Sequence, residues 1–504
     1  MPNSQQLFEQ ACGHARRTAM LSSIEAVLGW DERTMLPPAA GEHRAEQITL
    51  LSGMVHRQWT EPEYGAWLAE LAQTPMAADP HSDHGATIRR LKRQYDKRVK
   101  LPQALVEDLA RTAVLAQQAW VEARRKNDFA AFRPWLEKMV KLKREQADAA
   151  GFAEHRYDAL LDDFEPDERT VRLREVLGEL RKQLVPLVEA IAAAPRRPDA
   201  TILKRRYAVD VQEAFGRRAA ERIGFDFRRG RLDVTAHPFC SGLGPDDCRI
   251  TTRYDERFFN SAFFGILHEA GHGIYEQGLR GDQYGLPLGE AASLGIHESQ
   301  SRLWENLVGR SRAFWEHFYP EAQRRFPEAL GQTPLDDFYF AINEVRPSLI
   351  RVEADEATYN LHILVRFELE QDLLDGRLAV ADLPGAWNDK YRGMLGVAPT
   401  GDADGVLQDI HWSAGLIGYF PTYSLGNLYA AQFFAKAGAD LGDLGALFRR
   451  GEFAPLREWL REKIHRQGQR YSAAELVERV TDQPLSPAPL VEHLRAKYAP
   501  LYGL

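Results

Sequence analysis

The sequence predicts a mainly α-helical protein with one small β element. Two observations carry this: apolar residues recur at three-to-four spacing over long stretches, and a single short region alternates instead. With 44% hydrophobic, 27% charged and 10% aromatic residues, the composition is that of an ordinary globular protein. Helical periodicity runs through Gln103–Asn127, Phe132–Gly151, Glu168–Ala194 and Val211–Phe227. Turn clusters of Gly, Pro and Asp punctuate it at Pro195–Ala200, Gly278–Gly289 and Gly396–Gly405. None is long enough for a flexible linker, so residues 1–504 are expected to form one large helical domain. The exception is Arg231–Asp255, where β-branched residues flank a Gly-Pro-Asp-Asp turn and predict a β-hairpin. Such a strand pair could cap the helical body or hold an extended peptide by main-chain hydrogen bonds.

Charge and cysteine content exclude several classes. The 72 acidic and 64 basic residues are mixed along the chain, which argues against a nucleic-acid footprint. The basic stretch Ile88–Lys100 spans more than three helical turns and reads as a solvated helix face. No run of about 18 apolar residues suggests a membrane span. The N-terminus is polar and unlike a secretory signal, so the cytoplasm is the expected location. Cys12, Cys240 and Cys248 include no C-x-x-C pair, so any metal would need histidine and carboxylate ligands.

Phe263–Leu279, "FFGILHEAGHGIYEQGL", supplies them. His268 and His272 lie four apart on one helical face, roughly 6 Å along the axis, and both can point a ring nitrogen at one ion. Glu269, one step round, can reach a water on that ion as general base: the H-E-x-x-H arrangement. The bland reading of two core histidines competes, since Phe264, Leu267 and Ile274 share the helix. A hydrolytic site needs a third protein ligand and an open position. Glu276 lies eight residues from His268, about 12 Å along the axis, too far for bonds of about 2 Å. The ligand must therefore come from chain that folds back through Gly278–Gly289. In the next amphipathic segment, Ala292–Arg310, Glu298 is the expected ligand, with Glu290 and Glu305 as other carboxylates. His297 should point to a different face, behind the ligands or into packing.

These residues resemble the carboxypeptidase Taq family of zinc metallocarboxypeptidases. Its motifs stand here as "HPF" (His237–Phe239), "DCRIT" (Asp247–Thr251), "HEAGH" (His268–His272), "HESQ" (His297–Gln300), "IRVEAD" (Ile350–Asp355) and "GVLQDIHW" (Gly405–Trp412), in order and spacing. The segment Trp30–Gln47 resembles the family's N-terminal Trp-Asp segment. The resemblance implies a fold similar to the converting-enzyme and neurolysin group: helical, two lobes around a deep active-site groove, and a small sheet beside the metal helix, with the active-site region over residues 231–425. It also implies a zinc ion, with cobalt or manganese as substitutes, a homodimer, peptide substrates, and removal of C-terminal residues with broad preference but poorly at proline.

Roles follow from the same resemblance. His268, His272 and Glu298 hold the metal, and Glu269 moves the proton. "HWSAGLIGYFPTY" offers His411, Tyr419 and Tyr423 as oxyanion or substrate contacts, with His411 and Tyr423 favoured for the oxyanion. An exopeptidase must also read a free carboxylate, which a guanidinium does with two parallel hydrogen bonds. Arg351 is the first candidate, with Arg249 and Arg253 on the hairpin as rivals and His237 as a contact for substrate backbone. Each arginine could instead form an internal ion pair, with Glu353, Asp355 or Asp247 as partner. A dipeptidyl carboxypeptidase or an oligoendopeptidase would share this metal chemistry. A more distant alternative is a helical di-iron carboxylate protein, because "EAGH" and "EKIH" (Glu462–His465) are both Glu-x-x-His.

Overall fold

The computed structural model describes residues 3–504 and is mainly α-helical, with one small sheet. The Cα packing divides the chain into two compact units. The first comprises the chain up to Val99, Asp199–Ile342 and Phe433–Asp482; the second comprises Lys100–Pro198, Asn343–Gln432 and Gln483–Leu504.

In the first unit, the long helix Ser4–Thr34 opens on a reciprocal cap. Asn3 Oδ1 accepts from Gln6 N at 2.9 Å, and Gln6 Oε1 accepts from Asn3 N at 3.0 Å. Its apolar stripe Leu7, Ala11, Cys12 and Ala15 packs with Tyr64, Leu68, Leu71, Ile88 and Leu91. The basic stretch lies on helix Asp83–Val99 and the Lys100 that follows, and it is less solvated than its sequence suggests: only Arg98, Val99 and Lys100 are exposed, Arg89, Lys92, Arg93 and Lys97 are half-buried, and Arg89 Nη2 donates to Arg470 O at 2.8 Å. Arg90 is buried, and its Nε donates to Gln469 O at 3.0 Å.

The expected hairpin is correct in its turn and incomplete in its strands. Strands β1 (Gly230–Val234), β2 (Cys240–Gly244) and β3 (Asp247–Thr252) form one sheet in the order β1-β3-β2. β2 and β3 are the antiparallel pair, with Asp246 at φ 65 in their turn. β1 pairs with β3 in parallel and takes no part in a hairpin. The His237-Pro238 segment interrupts extended pairing, because proline has no N–H to donate. The chain after β1 therefore leaves the sheet and returns on the far side of β3.

The helix Phe259–Gly278 packs against β2 and β3 and buries residues nearly all round, among them Phe263, Phe264, Ile266, Leu267, Ala270 and Ile274. After the Gly/Pro turns, Ser293 caps helix Leu294–Arg302 by accepting from Ile296 N at 3.0 Å. This helix continues as a π-helical turn, Leu303–Val308, where the sequence suggests an unbroken α-helix.

The second unit is built from the expected helices, found at Gln103–Lys126, Phe129–Ala150 and Thr170–Ala193, together with Tyr359–Asp375 and Leu383–Leu395. No helix among the described residues is long and apolar enough to cross a membrane.

Candidate metal centre and substrate-binding residues

The close approach of two helices builds the centre, and glycine permits it. A Cβ on Gly271 would lie 2.6 Å from both Gln300 O and Ser301 Cα, so any side chain there would push the HESQ helix off the HEAGH helix. With that contact made, Glu298 reaches both histidines. Its Oε2 lies 3.7 Å from His268 Nε2 and 3.4 Å from His272 Nε2. All three ligand atoms lie within 4.8 Å of one another. Bonds of about 2 Å in a tetrahedral shell separate ligand atoms by about 3.3 Å, so two nitrogens and one oxygen fit a divalent ion.

The opposite ring nitrogens are also engaged. His268 Nδ1 lies 2.9 Å from Glu305 Oε2, which the π-helical turn brings there. Glu305 thus stands behind a candidate ligand, not among the three converging atoms. His272 Nδ1 lies 2.6 Å from His297 Nδ1, and His297 Nε2 lies 2.7 Å from Glu276 Oε1. Glu276, too distant to share the ion, holds a histidine instead, and Glu290 is absent from the cluster. Arg302 Nε donates to Glu298 Oε1 at 2.7 Å, fixing the carboxylate from behind.

Electrostatics suit these contacts. Burial opposes ionisation of Glu298, yet Arg302, His268 and His272 together hold it well below the ordinary carboxylate range. Burial, with His297 alongside, pushes His272 down to about 3, so its imidazole is neutral at pH 7. Glu269 is 7% exposed, and burial, with the charges of Glu298 and Glu305, pushes it up to about 7. That is the range in which one carboxyl both takes and returns a proton.

The second unit gathers the other candidates. Arg351, in the turn Arg351–Glu353, is 5% exposed. Its Nε and Nη2 donate to Asp409 Oδ1 at 3.0 and 2.8 Å, and its Nη1 donates to Tyr359 Oη at 3.0 Å. Its guanidinium stands 5.0 Å from the Tyr423 ring centre. Asp409 also accepts from Arg366 Nε at 2.7 Å. The ion-pair partner is therefore neither Glu353 nor Asp355. Glu353 is exposed, and Asp355 accepts from the backbone of Arg346, Ala357 and Thr358. His411 Nε2 lies 3.3 Å from Tyr423 Oη, and its ring centre lies 5.5 Å from that of Tyr419. Burial, with Arg351 and Arg366 adding to it, pushes His411 down to about 4.

The sheet residues are differently placed. Arg249 forms a two-point pair with Asp247, at 2.8 and 2.9 Å, and its guanidinium lies 4.4 Å from the ring centre of Trp30. That contact gives the N-terminal Trp-Asp segment a place: Trp30 packs under Arg249 and Arg231, and Asp31 pairs with Arg44 at 2.8 Å. Arg253 and His237 are exposed, at the end of β3 and between β1 and β2. Sequence reasoning missed Asp409, Arg366 and Arg302. Of these only Asp409 left a signal, as an acid two residues before His411 in "QDIHW".

The di-iron alternative fails on geometry. Helix Ala454–Lys463 ends before His465, Glu462 is exposed beside Arg466, and His465 Nε2 bonds Gln300 Oε1 at 2.9 Å.

Known proteins match the chain over nearly its whole length. The carboxypeptidase Taq (M32) metallopeptidase profile matches residues 10–498. Thermostable carboxypeptidase 1 of Thermus thermophilus is 49% identical over 497 residues, 97% of each chain. Carboxypeptidase 1 of Bacillus subtilis is 39% identical over 489 residues, again 97% of each. The crystal structure of the M32 carboxypeptidase from Deinococcus radiodurans R1 superposes with a TM-score of 0.96 at 42% identity, covering 99% of this chain and 100% of that one. Matched by this profile and by such relatives over nearly its whole length, the chain belongs to the carboxypeptidase Taq (M32) metallopeptidase family and is a metallocarboxypeptidase.

Proposed function

We propose that the protein is a zinc carboxypeptidase that releases C-terminal residues from peptides with broad preference, and poorly when proline is terminal. The observation that carries this reading is the convergence of His268 Nε2, His272 Nε2 and Glu298 Oε2 beside the buried carboxyl of Glu269. A neutral-nitrogen and carboxylate set suits zinc, with cobalt or manganese as substitutes. When bound, the ion supplies Lewis acidity and lowers the pKa of a water toward about 7.

The chain's own residues do the rest. Glu269 takes a proton on its carboxylate as the peptide carbonyl is attacked and returns it to the leaving amine. His411 and Tyr423 donate to the oxygen on which charge develops, and Tyr419 contacts substrate. Arg351 reads the terminal carboxylate. Its anchorage on Asp409 and Tyr359 supports that role, because a guanidinium held from behind keeps its orientation. Arg249, whose Nε and Nη2 are likewise paired, with Asp247, and the exposed Arg253 are the rivals of Arg351 on the sheet, and His237 is a contact for substrate backbone.

Timed mass spectrometry of one peptide as free acid and as C-terminal amide, with and without chelator, tests the reading. Stepwise loss of single residues from the acid, none from the amide, and arrest by chelator are expected. Cleavage of the amide would make the protein an endopeptidase, and loss of residues in pairs a dipeptidyl carboxypeptidase. Glu269→Gln should keep its metal and lose about 10²–10⁴-fold in kcat, whereas Glu298→Ala should lose the metal. The family also supports a cytoplasmic homodimer, for which light scattering should return twice the chain mass.

A further inference from the structure

We propose that Glu276 and His297 are positioning residues, forming a relay that fixes which nitrogen of His272 carries its proton. This rests on the reading of His272 as a metal ligand. An imidazole binds a metal only through an unprotonated nitrogen, so a ligand histidine must keep its single proton on the other one. His268 meets that need directly, since Glu305 Oε2 lies 2.9 Å from its Nδ1 and a carboxylate can only accept.

His272 has no carboxylate on its Nδ1; it has the Nδ1 of another histidine, 2.6 Å away. Two lone pairs do not approach so closely, so one of these nitrogens carries hydrogen. Glu276 decides which. Its Oε1 lies 2.7 Å from His297 Nε2, and a carboxylate oxygen there accepts an N–H. With its hydrogen held at Nε2, the His297 ring presents a lone pair at Nδ1, which accepts from His272 Nδ1–H. His272 Nε2 is left with its lone pair toward Glu298 Oε2, 3.4 Å away. With the opposite proton order, His272 Nε2 would carry hydrogen into the metal position.

The surrounding structure makes room for this relay. A Cβ on Gly242 of β2 would lie 2.3 Å from Glu276 Oε2 and 2.7 Å from its Cδ, so the strand accepts the carboxylate only because it has no side chain there. The Tyr275 ring centre lies 5.2 Å from that of His297 and bounds the imidazole on another side. Glu276 is also one helical turn beyond His272, so a single helix carries both ends of the relay.

Zinc affinity of the full chain, measured by competition with a chromophoric chelator, tests the proposal without reference to turnover. Glu276→Ala and His297→Phe should each bind zinc about 10–100-fold more weakly, and the double variant no more weakly than either, because both break the same relay. Gly242→Ala should reproduce the loss while removing no polar group. Glu276→Gln, whose amide oxygen still accepts, should recover most of it. In the unsubstituted zinc-loaded protein, ¹⁵N spectra of labelled histidine should place the His297 proton on Nε2. A His297 protonated at Nδ1, or wild-type zinc affinity in folded Glu276→Ala and His297→Phe, overturns the relay. Retention of stoichiometric zinc by His272→Ala would instead remove the ligand reading beneath it.

Discussion

Asp409 shows what a single residue can carry. Its two oxygens hold Arg351 and Arg366, both buried, and these guanidiniums outweigh burial to keep its carboxyl well below the ordinary range. Asp409→Asn leaves two buried cations without a counter-charge and should destabilise the protein by about 3–5 kcal/mol, read as a lowered urea midpoint. Glu370 behaves in the opposite sense. It accepts from Tyr157 Oη at 2.7 Å and Trp412 Nε1 at 2.8 Å, and burial pushes it up from 4.5 to about 7. A carboxyl raised on folding stabilises the folded state while protonated; that contribution is complete below its unfolded value and is lost as pH rises through about 7. Urea unfolding at pH 5 and pH 8 should therefore show a loss, up to about 3 kcal/mol, that Glu370→Gln lacks. At this scale, the sequence revealed what a local repeat encodes. The candidates His268, Glu269 and His272 follow from helical spacing, and the distance that disqualifies Glu276 points past the turn, to Glu298 ahead of Glu290 and Glu305. The pairing of Arg351 with Asp409, 58 residues away, has no local signature, because only the folded chain makes them neighbours.

Among the elements, the helix-to-helix contact at Gly271 sets the metal centre. Gly271→Ala must push the two backbones apart, at a cost of about 1–3 kcal/mol for overpacking, and should weaken metal affinity with it. Gly265 on the same helix is the control, since the nearest atom to its added Cβ is Thr252 Oγ1 at 3.7 Å. Gly265→Ala should leave metal affinity unchanged and raise stability by up to about 1 kcal/mol through helix propensity. Thermal melts and chelator titrations of both variants check the pair. The helices themselves were legible because each has an amphipathic stripe of several turns. β1 was not: it pairs in parallel with a strand beyond its neighbour in sequence, and alternation says nothing about which strand lies alongside. The π-helical turn at Leu303–Val308 was equally hidden, since one widened turn leaves the apolar period nearly intact.

At the scale of the whole molecule, the proposed ligands His268, His272 and Glu298 all belong to the first unit. Metal at 100 times its Kd should stabilise that unit by about 2.7 kcal/mol. Chelation should accordingly raise hydrogen exchange in peptides from Asp199–Ile342 and leave those from Lys100–Pro198 unchanged, as read by mass spectrometry. Uniform loss of protection would show that the ion stabilises more than the unit that binds it.

The interleaving of the two units also bears on how the protein is made. Each is stitched from three separate stretches, and the last pieces are Phe433–Asp482 for one and Gln483–Leu504 for the other. A ribosome moving at about 5–20 residues per second has thus delivered most of the chain before either core can close. The helix Ser4–Thr34 can cover its apolar stripe early, with Tyr64, Leu68, Leu71, Ile88 and Leu91, whereas Phe314 and Phe318 of helix Arg312–Arg325 wait for Phe453, so chaperone capture should be strongest on nascent chains halted between residues 342 and 433.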